Sequence, residues 1–393
     1  MSFLAFDAQV IRARSLLRRR SADRVRQQAM AKPFSPAAAE RLLLVTQTDR
    51  LPQSQVYAFH HYAADLKRLY GAELREADLA DVLAGRPVAA KGATVVAFQT
   101  PFDVSDDDLN RLFARLRADH PGARIGCLDW FAPTDLRNAA RMDGEVDFYV
   151  KKHVLRDRGH YGRPTLGDTN LTDHYARRFD LADPERCFPV SPGFLQKLII
   201  GPSFVTAPQI QPEFLKATPP RGQRPIDLHA RFEMSGTPWY RAMRGEADAA
   251  VDRCTGLNLL RRSGVRQSRF LAELRRSKIC FSPFGYGEVC WRDYEAVLSG
   301  AVVLKPDMSH VETDPDIFVA WETYAPVAWD LSNFGEVLDR LLSDSGLREA
   351  IARKAYQTLQ AWLQSDAFAQ RMQPLFRPVS AACPSSIPAL AEA

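Results

Sequence analysis

Arg292 and Glu295 stand three residues apart, just beyond the glycine-bearing loop Ser282-Pro-Phe-Gly285-Tyr286-Gly287-Glu288. Apolar runs at 279–282 and 301–304 bracket the segment, and Gly300 follows the periodic stretch between them. The pattern predicts strand, loop, helix, stop and strand. A loop that opens a helix leaves the first backbone N–H groups unpaired and aimed at whatever anion lies above them. Arg292 falls in the first turn of that helix, and Glu295 shares its face. A guanidinium fork for phosphate beside a carboxylate for a diol is what a nucleotide diphosphate-sugar requires. The same pair is also the ordinary form of a solvated surface ion pair, worth only a few tenths of a kcal/mol. A dinucleotide fingerprint is a poor fit, because Cys290 stands where its third small residue belongs.

Alternating strand and helix patterns must position this segment. Buried-strand runs recur at 42–45, 74–77, 93–98, 125–128, 147–150 and 198–200, with helical patterns in most of the gaps. A Pro- and Gln-rich stretch at 206–224 reads as a linker. A second series begins with a strand at 226–231, then a helix opened by Ser235 or Thr237 with Pro238, then the segment above. The βαβ repetition predicts an α/β protein of two Rossmann-like parallel-sheet domains facing across a cleft. The expected divisions are a basic helix over 1–36, a first domain over 37–205 for the acceptor, a second over 225–376 for the nucleotide-sugar, and a loose tail over 377–393.

Open parallel sheets bind ligands beyond the carboxyl ends of their strands. In the second half that rule nominates Arg231, the loop Ser282 to Gly287, and Lys305 to Glu312 with His310. Arg231 is the preferred diphosphate cation, while Arg241 and Arg244 read more simply as a solvated helix face. In the first half the rule gives Gln47, Asp49, Gln99, Asp103, Asp129, Asp135, Lys151, Lys152 and His153. Asp129 is the candidate base for an acceptor hydroxyl, with Asp135 the helix-supporting alternative. Ser105-Asp-Asp-Asp108 has capping-box spacing, and Asp314-Pro-Asp316 reads as turn chemistry, so neither is taken as a metal site. The polar insertion 151–175 is too long for a tight connection and suits an acceptor-binding loop.

The segment from Lys278 to Lys305 resembles the donor-binding region of GT-B glycosyltransferases, above all the exostosin-like and CAP10-like families. Those families share a strand-end Pro and Gly loop before an Arg, a helix ending in a small residue and Gly, and a Val-Val-Leu-Lys-type strand. Trp321 to Asn333, with Tyr324, Pro326, Val327, Asp330, Leu331 and Ser332, is similar to the CAP10-like ending. The likeness spans 278–360. It implies glycosyl transfer, with Ser282, Gly285, Tyr286, Gly287, Glu288, Arg292, Glu295, Lys305 and His310 around the donor. Glu288 and Glu295 stand one residue closer than the paired Glu of the configuration-retaining group, and Glu295 matches the ribose position.

The chain has 393 residues, a net charge of +5, 46% hydrophobic residues and six cysteines without a metal-type spacing. These numbers suit two soluble domains with reduced thiols, in a cytoplasmic setting. The charge is localised. Residues 1–32 carry eight Lys or Arg against Asp7 and Asp23, so the remainder is near neutral and no nucleic-acid surface is implied. Phe3, Phe6, Val10 and Leu17 recur there at helical spacing. Such a basic amphipathic helix suits an anionic inner leaflet, or else docks on the protein itself. The sequence therefore predicts a metal-independent glycosyltransferase needing no cofactor beyond its nucleotide diphosphate-sugar donor. The acceptor would be a glycan, lipid-linked glycan or protein hydroxyl, as in surface polysaccharide assembly. The alternatives are a non-catalytic nucleotide-sugar or glycan binding subunit and a sugar-nucleotide epimerase.

Overall fold

The computed structural model describes residues 3–216 and 219–376. The expected tail at 377–393 lies outside them.

The first half contains β1 (Glu40–Thr46), β2 (Ala72–Asp78), β3 (Val95–Phe98), β4 (Arg124–Asp129), β5 (Phe148–Lys151), the short β6 (His153–Leu155) and β7 (Leu198–Ile200). All but β6 form one sheet in the order β2-β1-β3-β4-β5-β7, with every pair parallel. The second half contains β8 (Ile226–Ala230), β9 (Leu259–Arg261), β10 (Ser277–Phe281), β11 (Val302–Pro306), β12 (Val311–Thr313) and β13 (Ala325–Val327). All but β12 form a second parallel sheet, β9-β8-β10-β11-β13. Six helices frame the site. They are α1 (Phe3–Met30), α2 (Arg50–His61), α3 (Asn170–Arg178), α4 (Gln211–Phe214), α5 (Pro238–Asp252) and α6 (Gln267–Leu274), and a seventh, α7 (Trp291–Ser299), carries the candidate pair.

The continuous apolar runs follow from burial on both faces. Leu43 and Val45 enter one core cluster while Leu42 and Leu44 enter another, because successive side chains leave a strand on opposite sides. In the second sheet Cys280 and Val303 face one cluster, and Ile279, Val302 and Leu304 the other. The architecture is α/β with two parallel sheets, as the alternation predicts.

The carboxyl ends of the two sheets meet. Just past β5, β6 pairs antiparallel with β12, which lies just past β11, so one small ladder joins the halves. Three features depart from the linear plan. The stretch read as a linker is packed, with Ala207, Ile210 and Phe214 inside the second half's core. Leu171 and Tyr175 of the insertion enter that same core. Phe368, Met372, Leu375 and Phe376 return to the core of the first half, where Phe368 packs edge-on against Phe59 at 5.0 Å.

Helix α1 docks on the protein's own surface and spans both halves. Arg26 pairs with the buried Glu76 at 2.7 Å, Arg18 with Glu213 of α4, and Asp7 with Arg275 at 3.1 Å. Ile11 and Ala22 fill the contact between these pairs. The docked face is therefore set by ion pairs and two smaller apolar residues, not by the Phe6–Leu17 stripe. Phe6 (59% exposed) and Leu17 (66%) point outward.

Candidate functional site

The site grows from β10 and the loop that follows it. Ser282 donates its hydroxyl to Asp293 Oδ1 at 2.5 Å, and Asp293 Oδ2 accepts the N–H of Cys290 at 2.8 Å. Asp293 thus caps its own helix, completing a capping box with Cys290. Lys305, fully buried at the end of β11, sits 3.3 Å from Asp293 Oδ2 and donates to the Ser282 carbonyl at 3.3 Å. Both residues brace the loop from inside. The open helix end expected for an anion is occupied by this carboxylate.

Positive charge reaches the loop mouth from elsewhere. Arg244 of α5 is only 1% exposed, and its Nε and Nη1 have no hydrogen-bond partner. Its guanidinium lies over the rings of Tyr240 (4.8 Å) and Phe232 (5.3 Å). Burial, followed by the charge of Arg292, pushes its pKa down to about 10. Arg292 has a buried Nε without a partner, and its Nη1 makes one long bond of 3.4 Å to Ser282 Oγ. Among the described residues, no carboxylate forms an ion pair with either arginine. The preferred diphosphate cation, Arg231, is differently placed. It is held by Glu273 at 2.6 Å and donates to the carbonyls of Arg261 and Arg262, so it braces the end of β8. Burial raises the Glu273 pKa, but hydrogen bonds from Arg231 and Arg269, with His229 3.6 Å away, outweigh it and hold the carboxyl at about 2.

Tyr286 is half exposed and stacks on Tyr240 at 4.6 Å, while its hydroxyl accepts the N–H of Thr237 at 3.2 Å. Gly285 closes the turn by donating its N–H to Gly287 O at 3.0 Å. Gly287 permits a close approach: a Cβ there would lie 1.8 Å from Ala132 O of the first half.

Glu288 is the hub of the junction and is 0% exposed. Its carboxylate accepts from Thr134 Oγ1, from Asn170 Nδ2 at 2.9 Å, and from His310 Nε2 at 3.4 Å. His153 Nε2 also lies 3.4 Å away. Burial opposes ionisation of Glu288, but its contacts with His153 and His310 prevail and keep its pKa well below the usual range. Burial conversely lowers the pKa of His153.

Glu295 occupies a separate wall. It is buried, accepts from Gln267 Nε2 at 2.7 Å, and has its pKa raised by burial against the opposing effects of Gln267, Arg50 and Arg292. Arg292 and Glu295 therefore remain electrostatic neighbours, and Glu295 is not a surface residue.

In the first half, Asp129 is 2% exposed. Its Oδ2 accepts from Lys151 Nζ and from Tyr149 OH, both at 2.7 Å, and its Oδ1 from the N–H of Phe131 at 2.9 Å. This carboxylate is neutralised by Lys151 and accepts three hydrogen bonds, a geometry suited to an anchor for the strand ends. Asp135 is likewise engaged, by a bidentate fork from Arg137. Lys152, the neighbour of Lys151, lies buried over Phe204 at 4.0 Å, with its pKa depressed to about 7 by burial.

Sequence reasoning missed the burial of Arg244 and the partners of Glu288. A signal for the first existed. Arg244 falls within the stripe Tyr240, Met243, Ala247, Val251 that α5 buries, one turn beyond Tyr240. Ser105 caps its helix by accepting the N–H of Asp108, as its spacing predicted. No group of His, Cys, Asp and Glu suited to a metal occurs among the described residues.

No protein-family profile matches the sequence, and no curated protein matches it. Solved structures do resemble it. An alpha-glucosyltransferase (AGT) in complex with UDP aligns at TM-score 0.47 and 9% identity, over 85% of this chain and 98% of that one. TarM aligns at TM-score 0.42 and 12% identity, over 72% of this chain and 54% of that one. A protein described as a UDP-N-acetylglucosamine 2-epimerase from Listeria monocytogenes aligns at TM-score 0.42 and 10% identity, over 85% of this chain and 95% of that one. At these scores the likeness concerns overall form, and the chemistry must come from the residues.

Proposed function

We propose that this protein is a glycosyltransferase that moves a sugar from a nucleotide diphosphate-sugar to a hydroxyl of a glycan, lipid-linked glycan or protein. The carrying observation is the pair Arg244 and Arg292, two guanidiniums near the carboxyl ends of β8 and β10 with buried N–H groups and, among the described residues, no carboxylate partner. An unpaired buried charge is costly, and two together are more so, unless an anion joins them. A diphosphate supplies that anion, and the same cations stabilise it as it leaves, without a metal. Glu295 stands on the same helix as a diol acceptor. Ser282, Lys305 and Asp293 serve this reading by fixing the loop that presents Arg292, and Tyr286 by walling its mouth.

The acceptor approaches from the first half. The three hydrogen bonds that Asp129 accepts support an anchoring role there, and a substitution described below separates anchor from base. Membrane-linked acceptors, as in surface polysaccharide assembly, fit the outer face of α1, where Phe6 and Leu17 are exposed beside Arg20 and Arg24. Among the described residues no helix is long and apolar enough to cross a membrane, so the contact would be peripheral. Leu17→Glu should then release the protein from anionic vesicles, and unchanged binding counts against the contact.

Thermal denaturation with UDP, GDP, ADP and CDP tests the main reading. A ligand at about a hundred times its Kd adds about 2.7 kcal/mol of apparent stability, so a bound nucleotide raises Tm visibly. Four nucleotides without effect would remove the reading's support.

A further inference from the structure

A cavity of about 290 Å3 opens between α1, α4 and the helices α6 and α7 of the second half. Its size is near the lower end of pockets that enclose small ligands, roughly 300–1,000 Å3. Ile11 of α1 and Leu271 and Leu298 opposite give it apolar walls. Polar groups converge between them. Glu295 with its partner Gln267 lines one side, and Gln209 brings a buried amide Nε2 that has no partner. Apolar walls with a few directed amides and a carboxylate, bordered by Arg12, Arg14, Arg18, Arg19, Arg266 and Arg275, suit an anionic ligand in which a flat heteroaromatic ring is joined to a diol. Arg292 lies three residues before Glu295 on α7, about 4.5 Å along the axis, and is its electrostatic neighbour, so the cationic pair stands about one turn from a residue that lines the cavity. Ser15 and Arg19 of α1 close the remaining side. Arg19 keeps a buried Nε without a partner, and with Gln209 it also borders a smaller cavity of about 160 Å3 containing Arg50.

Resting on the glycosyltransferase reading above, we propose that this cavity is the nucleoside subsite of the donor and that the N-terminal helix is one of its walls. Helix α1 is then a binding element as well as a brace. Its ion pairs to both halves, through Glu76 and Arg275, hold the subsite together, and donor binding in turn holds the helix down.

The test uses the full chain with nucleoside diphosphates and inorganic pyrophosphate, which carries the phosphates alone. Ser15→Trp fills the cavity from the α1 side and leaves Arg244 and Arg292 untouched. Calorimetric titration should show the preferred nucleoside diphosphate weakened about tenfold or more, with pyrophosphate affinity changed less than about twofold. Amide exchange of the parent supplies a second reading that needs no variant: the nucleoside diphosphate should slow exchange across residues 11–19, and pyrophosphate should not. If the parent binds nucleotides but the variant binds them equally well, or α1 gains no protection, the subsite lies elsewhere and the glycosyltransferase reading survives. If the parent binds neither nucleotide nor pyrophosphate, that reading fails and takes the subsite with it. Should Ser15→Trp not fold, the exchange measurement decides alone.

Discussion

The junction around Asp129 and Glu288 and the cationic site around Arg244 and Arg292 are both buried and charged, yet they are built on opposite terms. Each carboxylate at the junction is filled: Asp129 by Lys151, Tyr149 and a backbone N–H, Glu288 by Thr134, Asn170 and His310. The two arginines keep buried N–H groups that have no hydrogen-bond partner among the described residues. A satisfied buried charge specifies geometry, whereas an unsatisfied one has stability to gain from a ligand. That difference in partners supports a scaffold role for the first cluster and is the reason the second is proposed as the site.

The sharpest test of that division is Asp129→Asn. An anchor that leaves the buried Lys151 ammonium uncompensated should lose about 3–5 kcal/mol of stability, read by chemical denaturation. A base would instead lose turnover by about 10² or more with the denaturation midpoint unchanged. Glu288→Ala should follow at about 3 kcal/mol, because it strands Thr134, Asn170 and His310 donors at the interface between the halves. A variant as stable as the parent would show that the junction is not a structural hub. Arg244→Met probes the other side of the comparison. It should weaken nucleoside diphosphates by about ten- to a hundredfold while leaving stability equal or higher, since it removes a buried unpaired charge. Arg292→Ala should act in the same direction with the smaller loss. A stability loss with intact binding would move Arg244 into the scaffold.

The smallest effect concerns pH. The Glu273 carboxyl, held at about 2 against an ordinary 4.5, binds its proton less tightly folded than unfolded. Its stabilising contribution is complete above pH 4.5 and is lost as pH falls towards 2. Glu273→Gln lacks that contribution, so its stability should fall less steeply across this window. Parallel acid profiles for parent and variant would show that Glu273 does not brace the second half.

Much of the architecture was legible. The runs 42–45 and 279–282 are buried on both faces because the sheets are covered on both sides, and such strands read as continuous apolar stretches. Thr237-Pro238 opens α5 where expected, because proline suits the first helical turn. The face by which α1 docks was not legible, for a physical reason. The hydropathy pattern selects Phe6 and Leu17, while the docked face is held by Asp7, Arg18 and Arg26 meeting charges from far along the chain.

Local sequence determined the elements: which runs are strands, where helices begin, and that two βαβ series follow one another. It also marked Arg292 and Glu295 as neighbours, since three residues on a helix bring side chains to one face whatever surrounds them. Tertiary structure alone decided which buried charges are paired and which are not. Glu288 finds Thr134 at 154 residues' separation and Asn170 at 118, and Arg231 finds Glu273 at 42, whereas Arg244 is buried with buried N–H groups left unpaired. No spacing rule encodes such meetings, because the worth of a charge depends on its desolvation and its partners, and both are set only when the halves close on each other.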